Sequence, residues 1–212
     1  MRIAVVPAYN EEDSIGTVVR NLSKYVSMVI VIDDCSYDQT KDIAKASGAY
    51  VLSNSRNLGY ESTLIRGLSI AISEGASAIL TFDADGQHPY MLIDKMFGLI
   101  ESDDSDIVVG TRRSLPRRTE KLFSLYTKIR YGVPDILCGM KCYSSEAISE
   151  TGIRSEWDSV GSYIVIKALK LNFTVTPLHI NVQNRYDGVS RFGISMRSEL
   201  KIFNAFVRSL TL

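Results

Sequence analysis

Five short apolar runs, each followed by a stretch with helical spacing, constrain this chain more than any other feature. The runs fall at residues 3–6, 29–32, 50–53, 78–82 and 107–109. Between them, in 11–24, 38–46, 60–74 and 89–101, apolar residues recur every three or four positions. Ile15, Val18, Val19 and Leu22 share one helical face, as do Leu64, Leu68 and Ile72. A strand that is apolar on both sides has to be covered on both faces, and sheets of that kind are parallel. The expected architecture is α/β: a mainly parallel central sheet with helices on both faces. Pro7 is expected to stop the first strand.

Beyond Gly110 the pattern is less regular. Residues 136–143 read as a loop or short strand, 144–151 and 162–171 as helices, and 173–182 as a strand. Residues 194–210 form an amphipathic helix with Met196, Leu200, Phe203, Phe206 and Val207 on its apolar side. Its basic residues Arg197, Lys201 and Arg208 permit contact with a membrane surface, although packing on the core or on a second subunit is the expected use of that side.

With 212 residues the chain can bury one sizeable core, so a single domain is expected. Lys plus Arg and Asp plus Glu both number 24, so no overall field argues for nucleic acid, and any electrostatic signal has to be local. Cys35, Cys138 and Cys142 are an odd and sparse set, which suits a reducing, cytoplasmic compartment. Cys138 and Cys142 lack a second ligand pair and read as buried thiols rather than a zinc site. No window approaches the length of a membrane-spanning helix, and no secretory leader is evident at the N-terminus.

The chemistry lies at the strand ends. The first apolar run leads into Pro7-Ala8-Tyr9-Asn10-Glu11, the second into Asp33-Asp34, and the fourth into Asp83-Ala84-Asp85-Gly86-Gln87-His88-Pro89. Parallel strands bring these acidic ends to one sheet edge, where open α/β sheets bind ligands. Carboxylates without thiols suit Mg²⁺ or Mn²⁺, which also bind phosphates. The competing reading is that Asp83 and Asp85 cap the helix entered at Pro89. Residues 112–130 hold seven basic side chains against Glu120 alone. They form either a solvated helix face or, as preferred, a holder of anionic groups beside the same edge. There is no glycine-rich dinucleotide fingerprint, no phosphate-binding loop with its Lys-Ser/Thr, and no serine nucleophile elbow.

In order along the chain, several motifs resemble those of the family 2 glycosyltransferases. They are Pro7-Ala8-Tyr9-Asn10-Glu11-Glu12, the stretch from Val31 through Thr40, Asn57-Leu58-Gly59, Phe82 through Pro89, and Val109-Gly110-Thr111-Arg112. Two more, Asp135 through Lys141 and Arg185-x-x-Gly188-x-Ser190-Arg191, resemble the dolichyl-phosphate mannose and glucose synthase branch. The resemblance implies a GT-A fold, with 1–110 a nucleotide-binding half, 111–192 an acceptor half and 193–212 a terminal helix. It also implies a nucleotide-diphosphate sugar donor of the GDP-mannose or UDP-glucose type and a divalent cation, Mg²⁺ or Mn²⁺.

Under that resemblance Pro7, Tyr9 and Glu11 line a base and ribose pocket, and Asp34 takes polar groups of the nucleoside. Asp83, Asp85 and Gln87 reach the metal, with Ala84 at the donor between them. Arg112, Arg118 (or Arg117), Arg185 and Arg191 clamp the diphosphate and an anionic acceptor, and His88 orders the loop beside the metal. The expected reaction is inversion at the anomeric carbon, with a polyprenyl (dolichyl) phosphate acceptor on a cytosolic membrane face. An acceptor hydroxyl would instead require Asp135 as base, and a non-catalytic nucleotide-sugar binding protein is a further alternative. The chain departs from the family at Ser162-Tyr163, where an acidic residue is usual, and at Tyr60-Glu61, where small or basic residues are. Many members continue into membrane-spanning helices; here, lipid delivery is expected to fall to the terminal helix or a partner.

Overall fold

The computed structural model describes residues 1–154, 159–182 and 196–211, with the side chains of 196–198 left aside. The first half alternates as expected: β1 (Arg2–Ala8), α1 (Glu12–Leu22), β2 (Met28–Asp33), α2 (Thr40–Ala46), β3 (Tyr50–Ser53), α3 (Tyr60–Ser73), β4 (Ala78–Thr81), α4 (Ile93–Glu101) and β5 (Ile107–Arg112). The helix expected from residue 89 begins as a 3-10 turn, Tyr90–Leu92, and becomes α-helical at Ile93. The second half adds α5 (Arg118–Tyr131), β6 (Lys141–Ser144), α6 (Ser145–Thr151), α7 (Val160–Lys170), β7 (Val175–Ile180) and α8 (Met196–Leu210).

Among the described residues the strands form one seven-stranded sheet in the order β3-β2-β1-β4-β6-β5-β7. Six run parallel, and β6 is antiparallel to both its neighbours, β4 and β5. The sheet is covered on both faces, and β1 shows why an unbroken apolar run was needed. Ile3 and Val5 enter a core shared with α3, α6 and α7, while Ala4, Val6 and Ala8 enter another shared with α1 and α4. β6 is divided in the same way, with Tyr143 in the first core and Cys142 in the second.

Pro7 does not stop β1, which continues through it to Ala8. The Ala8 carbonyl accepts from Asp34 N on the β2 side, and the Val5 carbonyl accepts from Phe82 N on the β4 side. Alternate residues face alternate neighbours, so the missing Pro7 donor faces the β4 side. Pairing there has already ended at Val5 and Thr81, so the proline removes no ladder bond. Among the described residues no helix is long and apolar enough to cross a membrane.

Candidate active site

The ends of β1, β2 and β4 meet at one sheet edge, above a cleft of about 940 Å³. Asn10 lies in the left-handed region at φ 55° and crosses from the β1 loop to the loop after β2. Its N–H donates to Ser36 Oγ at 2.9 Å, and its Oδ1 accepts from Tyr37 N at 3.0 Å. Glu11 N donates to Thr40 Oγ1 at 2.7 Å, and the Tyr9 and Tyr37 rings meet edge to face. These bonds fix the segment that presents Pro7, Ala8, Tyr9 and Glu11 to the cleft.

Asp34 also lines the cleft, but its carboxylate is largely engaged by its own protein. Oδ1 accepts from Asn54 Nδ2 at 2.7 Å and Leu58 N at 2.8 Å, and Oδ2 accepts from Gly59 N at 2.8 Å. It therefore anchors the Asn57-Leu58-Gly59 wall, where Gly59 takes φ 85°, a region costly for other residues. The resemblance implies a nucleoside contact for Asp34; the geometry shows it holding this wall in place.

At the end of β4, the carboxylate of Asp83 is held from two sides. Tyr60 Oη donates to Oδ1 at 3.0 Å, and His88 Nε2 donates to Oδ2 at 2.8 Å. Burial pushes the Asp83 pKa up, but the His88 and Tyr60 bonds and the nearby Lys141 charge outweigh it and hold the carboxyl below its usual range. Asp85 Oδ1 accepts from Gln87 N at 3.1 Å, closing its own tight turn. Neither aspartate caps the next helix: the residues at the cap positions are Pro89 and Leu92, with no side-chain cap bond at either. That corrects the capping alternative.

The donor set fits a hard divalent cation. Asp83, Asp85 and Gln87 all line the cleft. Among the described residues no group of three or more His, Cys, Asp or Glu side chains could hold a metal. A cation at this edge would thus draw two carboxylates and an amide oxygen from the protein, leaving positions for phosphate oxygens, as Mg²⁺ and Mn²⁺ prefer. His88 and Tyr60 have the character of outer partners that aim a ligating carboxylate.

Arg112, Arg113 and Arg117 also line the cleft and supply its guanidinium groups; Arg118 and Asp135 do not line it. Asp135, 2% exposed, presents both carboxylate oxygens to Arg112. Oδ2 accepts from Arg112 N and Nε, each at 2.8 Å, and Oδ1 from Nη2 at 2.9 Å. Burial alone would lower the Arg112 pKa; Asp135 more than offsets it and keeps the guanidinium charged. Glu120, the lone acid of the basic run, is buried and bonded to Arg117 Nη1. The run is therefore divided: Arg112 and Arg117 at the cleft, and Lys121, Lys128 and Arg130 exposed on α5. Arg185 and Arg191 lie outside the described residues.

Three residues at the site were given no role by the sequence. Tyr60 and Glu61 are the departure noted after Gly59. Tyr60 holds Asp83, and Glu61 Oε2 accepts from Val160 N at the start of α7, 2.7 Å away. Ser162 and Tyr163, the other departure, pack inside, with Ser162 Oγ donating to the Ile136 carbonyl and Tyr163 Oη to that of Thr151. The two departures are thus neighbours in space, with Glu61 bringing a carboxylate to α7 from α3. The third residue, Lys141, is buried under the site and donates to the Cys138 carbonyl. Burial lowers its pKa, while Cys138, Asp135, Asp83 and Glu61 work the other way.

Residues 3–148 match the family described as Glycosyl transferase family 2. The chain is 29% identical to the UDP-N-acetylglucosamine–dolichyl-phosphate N-acetylglucosaminyltransferase of Methanococcus voltae, over 82% of this chain and 83% of the relative. It is 27% identical to the undecaprenyl-phosphate mannosyltransferase of Micrococcus luteus, over 69% and 67%. An uncharacterized protein of Methanocaldococcus jannaschii is 31% identical over 78% of this chain and 74% of its own. In fold, the chain is similar to glucosyl-3-phosphoglycerate synthase from Mycobacterium tuberculosis in complex with Mn²⁺, UDP-glucose and phosphoglyceric acid. That likeness has a TM-score of 0.74 at 20% identity, covering 99% of this chain and 79% of the other. With its acidic strand ends gathered at one edge of a GT-A sheet and the family's motifs spread over two thirds of its length, the chain belongs to glycosyl transferase family 2.

Proposed function

We propose that this glycosyltransferase moves a hexose, with inversion, from a nucleotide-diphosphate sugar to a polyprenyl phosphate at the cytosolic face of a membrane. Support for the acceptor comes from Asp135. A hydroxyl acceptor has to lose a proton to a base as it attacks. Asp135, the residue that would serve, is buried and committed on both oxygens to Arg112. A phosphate acceptor is already anionic and needs no such base. Asp135 then acts as a positioning residue that holds Arg112 charged and extended along the cleft. The named acceptors of the Methanococcus voltae and Micrococcus luteus relatives, dolichyl and undecaprenyl phosphate, point the same way.

In this reading an oxygen of the acceptor phosphate attacks the anomeric carbon in line. The bond from that carbon to the donor's diphosphate breaks, and the electron pair leaves with the nucleoside diphosphate. Tyr9 and Glu11 bind the nucleoside, beside the wall that Asp34 anchors. Arg112 and Arg117, with Arg113, offset the negative charge of two phosphate groups brought together in one cleft. A divalent cation held by Asp83, Asp85 and Gln87 would supply Lewis-acid stabilisation of the leaving diphosphate. His88 and Tyr60 keep the Asp83 carboxylate aimed and ionised. Residues 1–110 serve the donor and 111–192 the acceptor, within one domain.

The test is transfer from UDP- and GDP-hexoses to a short polyprenyl phosphate in detergent, with soluble glycans as competing acceptors. The expected result is a glycosyl phospholipid product that forms only with Mg²⁺ or Mn²⁺. Asp85→Asn is expected to lower transfer by about a hundredfold or more, the scale of losing a charge-stabilising group. Transfer to glycans with none to polyprenyl phosphate would overturn the acceptor reading.

A further inference from the structure

Two helices carry apolar stripes that the core does not use. On α5 the buried residues Glu120, Phe123 and Thr127 lie on one side, at about 100° per residue. Leu122, Leu125 and Ile129 lie on the opposite side and are exposed, Ile129 at 78%. On α8, Ile202, Ala205 and Ser209 are buried, while Leu200, Phe203, Val207 and Leu210 form an exposed stripe at spacings of three and four. The helices meet at Phe206, whose ring lies 5.6 Å from Phe123 and 5.5 Å from Tyr126, centroid to centroid. Glu199 of α8 also accepts from Thr119 N at 3.2 Å, fixing the first turn of α5. Tyr126 and Phe206 stand between the buried and exposed sides of their own helices. The two stripes therefore border the same seam and join into one outward apolar surface.

The charges around this surface are predominantly positive. Arg118, Lys121, Lys128 and Arg130 on α5 and Lys201 and Arg208 on α8 are all exposed. Glu120 is buried against Arg117, and Glu199, hydrogen-bonded to Thr119, is the one partly exposed carboxylate on the described part of either helix, so six exposed cations face a single acid. An apolar stripe bordered by Lys and Arg is the pattern of a helix lying in a headgroup layer, with the cations on anionic lipid and the apolar side chains below. A second copy of this chain would suit it poorly, because a two-fold interface sets each patch against itself and would bring basic rim against basic rim. The same two helices border the cleft with their other sides: Lys201 and Ile202 of α8, and Arg117 at the head of α5, line it.

We propose that the α5–α8 surface docks on an anionic lipid bilayer and holds the cleft mouth at the headgroup level. The inference rests on the polyprenyl-phosphate reading for its purpose: a lipid-borne phosphate reaches Arg117 without its chain leaving the membrane. The contact itself can be tested without acceptor or donor.

The experiment is co-sedimentation of the full chain with vesicles of phosphatidylcholine alone and of equal parts phosphatidylcholine and phosphatidylglycerol. The chain is expected to pellet with the mixed vesicles and largely remain in solution with the neutral ones. Leu125→Asn combined with Ile129→Asn should weaken the partition about tenfold or more, with nucleoside diphosphate affinity unchanged as evidence of an intact fold. Lys121→Glu combined with Lys128→Glu should abolish the preference for anionic lipid. A chain that never pellets, or a partition indifferent to both double variants, overturns the proposal. So does a dimer in light scattering that Leu125→Asn with Ile129→Asn dissolves while vesicles capture nothing. If the vesicle results are as expected but polyprenyl phosphate in detergent accepts no sugar, the docking surface stands and the acceptor reading falls. If sugar is transferred in detergent but vesicles are ignored, the reverse holds.

Discussion

The residue on which the site's geometry most depends carries no side chain. A β-carbon at Gly139 would lie 2.2 Å from Asp83 Oδ2 and 2.4 Å from Oδ1. The turn before β6 therefore packs directly on the carboxylate that Tyr60 and His88 hold from its other sides. Gly139→Ala has to displace either that carboxylate or the turn. Because the turn is tied down by β6 between two other strands, the carboxylate is the part that yields. We expect donor affinity and metal dependence to fall by tenfold or more, on the order of 1.4 kcal/mol or above, with a smaller change in unfolding free energy. Calorimetric titration of nucleoside diphosphate with Mn²⁺, beside a urea titration, separates the two; equal losses in both would mean that the turn moved instead. Asp135 is the opposite case: its residue type suggested a base, and only its partner Arg112, 23 positions away, reveals it as a clamp.

At the scale of elements, close approach between α3 and β1 sets how the sheet is covered. A β-carbon at Gly67 would stand 2.3 Å from Val5 Cγ1 and 3.2 Å from Ile32 Cγ1. Alanine is intrinsically the better helix former by about 1 kcal/mol, yet overpacking in a full core costs about 1–3 kcal/mol. Gly67→Ala is expected to be net destabilising, by about 1–2 kcal/mol, as measured by urea unfolding; a stabilised variant would mean that α3 shifts freely on the sheet. Arg2 makes the link between β1 and α4, donating to Glu101 through Nε and Nη2, each at 2.7 Å, and to Asp94 at 3.0 Å. The bond from Arg2 holds the Glu101 carboxyl below its usual range. A depressed acid stabilises the fold above its unfolded pKa, about 4.3 for Glu, and loses that contribution as pH falls through the folded value. The pair is solvent-exposed, so it contributes at most about 1 kcal/mol. Arg2→Met should therefore differ from the parent at pH 7 and converge with it near pH 3, in chemical denaturation at each pH. A gap that persists in acid would assign the effect to Arg2 packing over the Phe97 ring instead.

The whole molecule follows from its apolar runs where they are long and from contacts where they are not. Five parallel strands and the meeting of their acidic ends were legible, because runs buried on both faces admit few other arrangements. β6 was legible only as a loop or short strand over residues 136–143: Lys-Cys-Tyr-Ser has neither length nor alternation, and its place between β4 and β5 depends on pairings more than 30 residues away. The outward stripe of α5 was hidden for a different reason. The side of α5 that is buried carries Glu120 and Thr127 beside Phe123, and the more apolar side is exposed, so residues 112–130 read only as a charge run. For the assembled site, donor and cation should act together on stability. Nucleoside diphosphate with Mn²⁺ should raise the melting temperature, by the equivalent of about 2.7 kcal/mol at a hundredfold excess over Kd. Chelation should abolish the rise, and Asp85→Asn should blunt it; a rise that survives chelation would remove the cation from the binding site.

The antiparallel strand has one more consequence, in the order of synthesis. A growing chain can pair β1, β2, β3 and β4 as they emerge, and with them gather Tyr9, Asp34 and Asp83. β5 follows, yet it has no bond to β4 until residues 141–144 leave the ribosome and enter between them. Until then both strands have an open side, the condition under which nascent chains mispair. The arrival of β6 closes that gap, sets Gly139 against Asp83, and brings the Arg112 wall to the nucleotide side. The acidic half of the cleft is thus the older half of each new molecule, and its cationic half is added by a single four-residue strand.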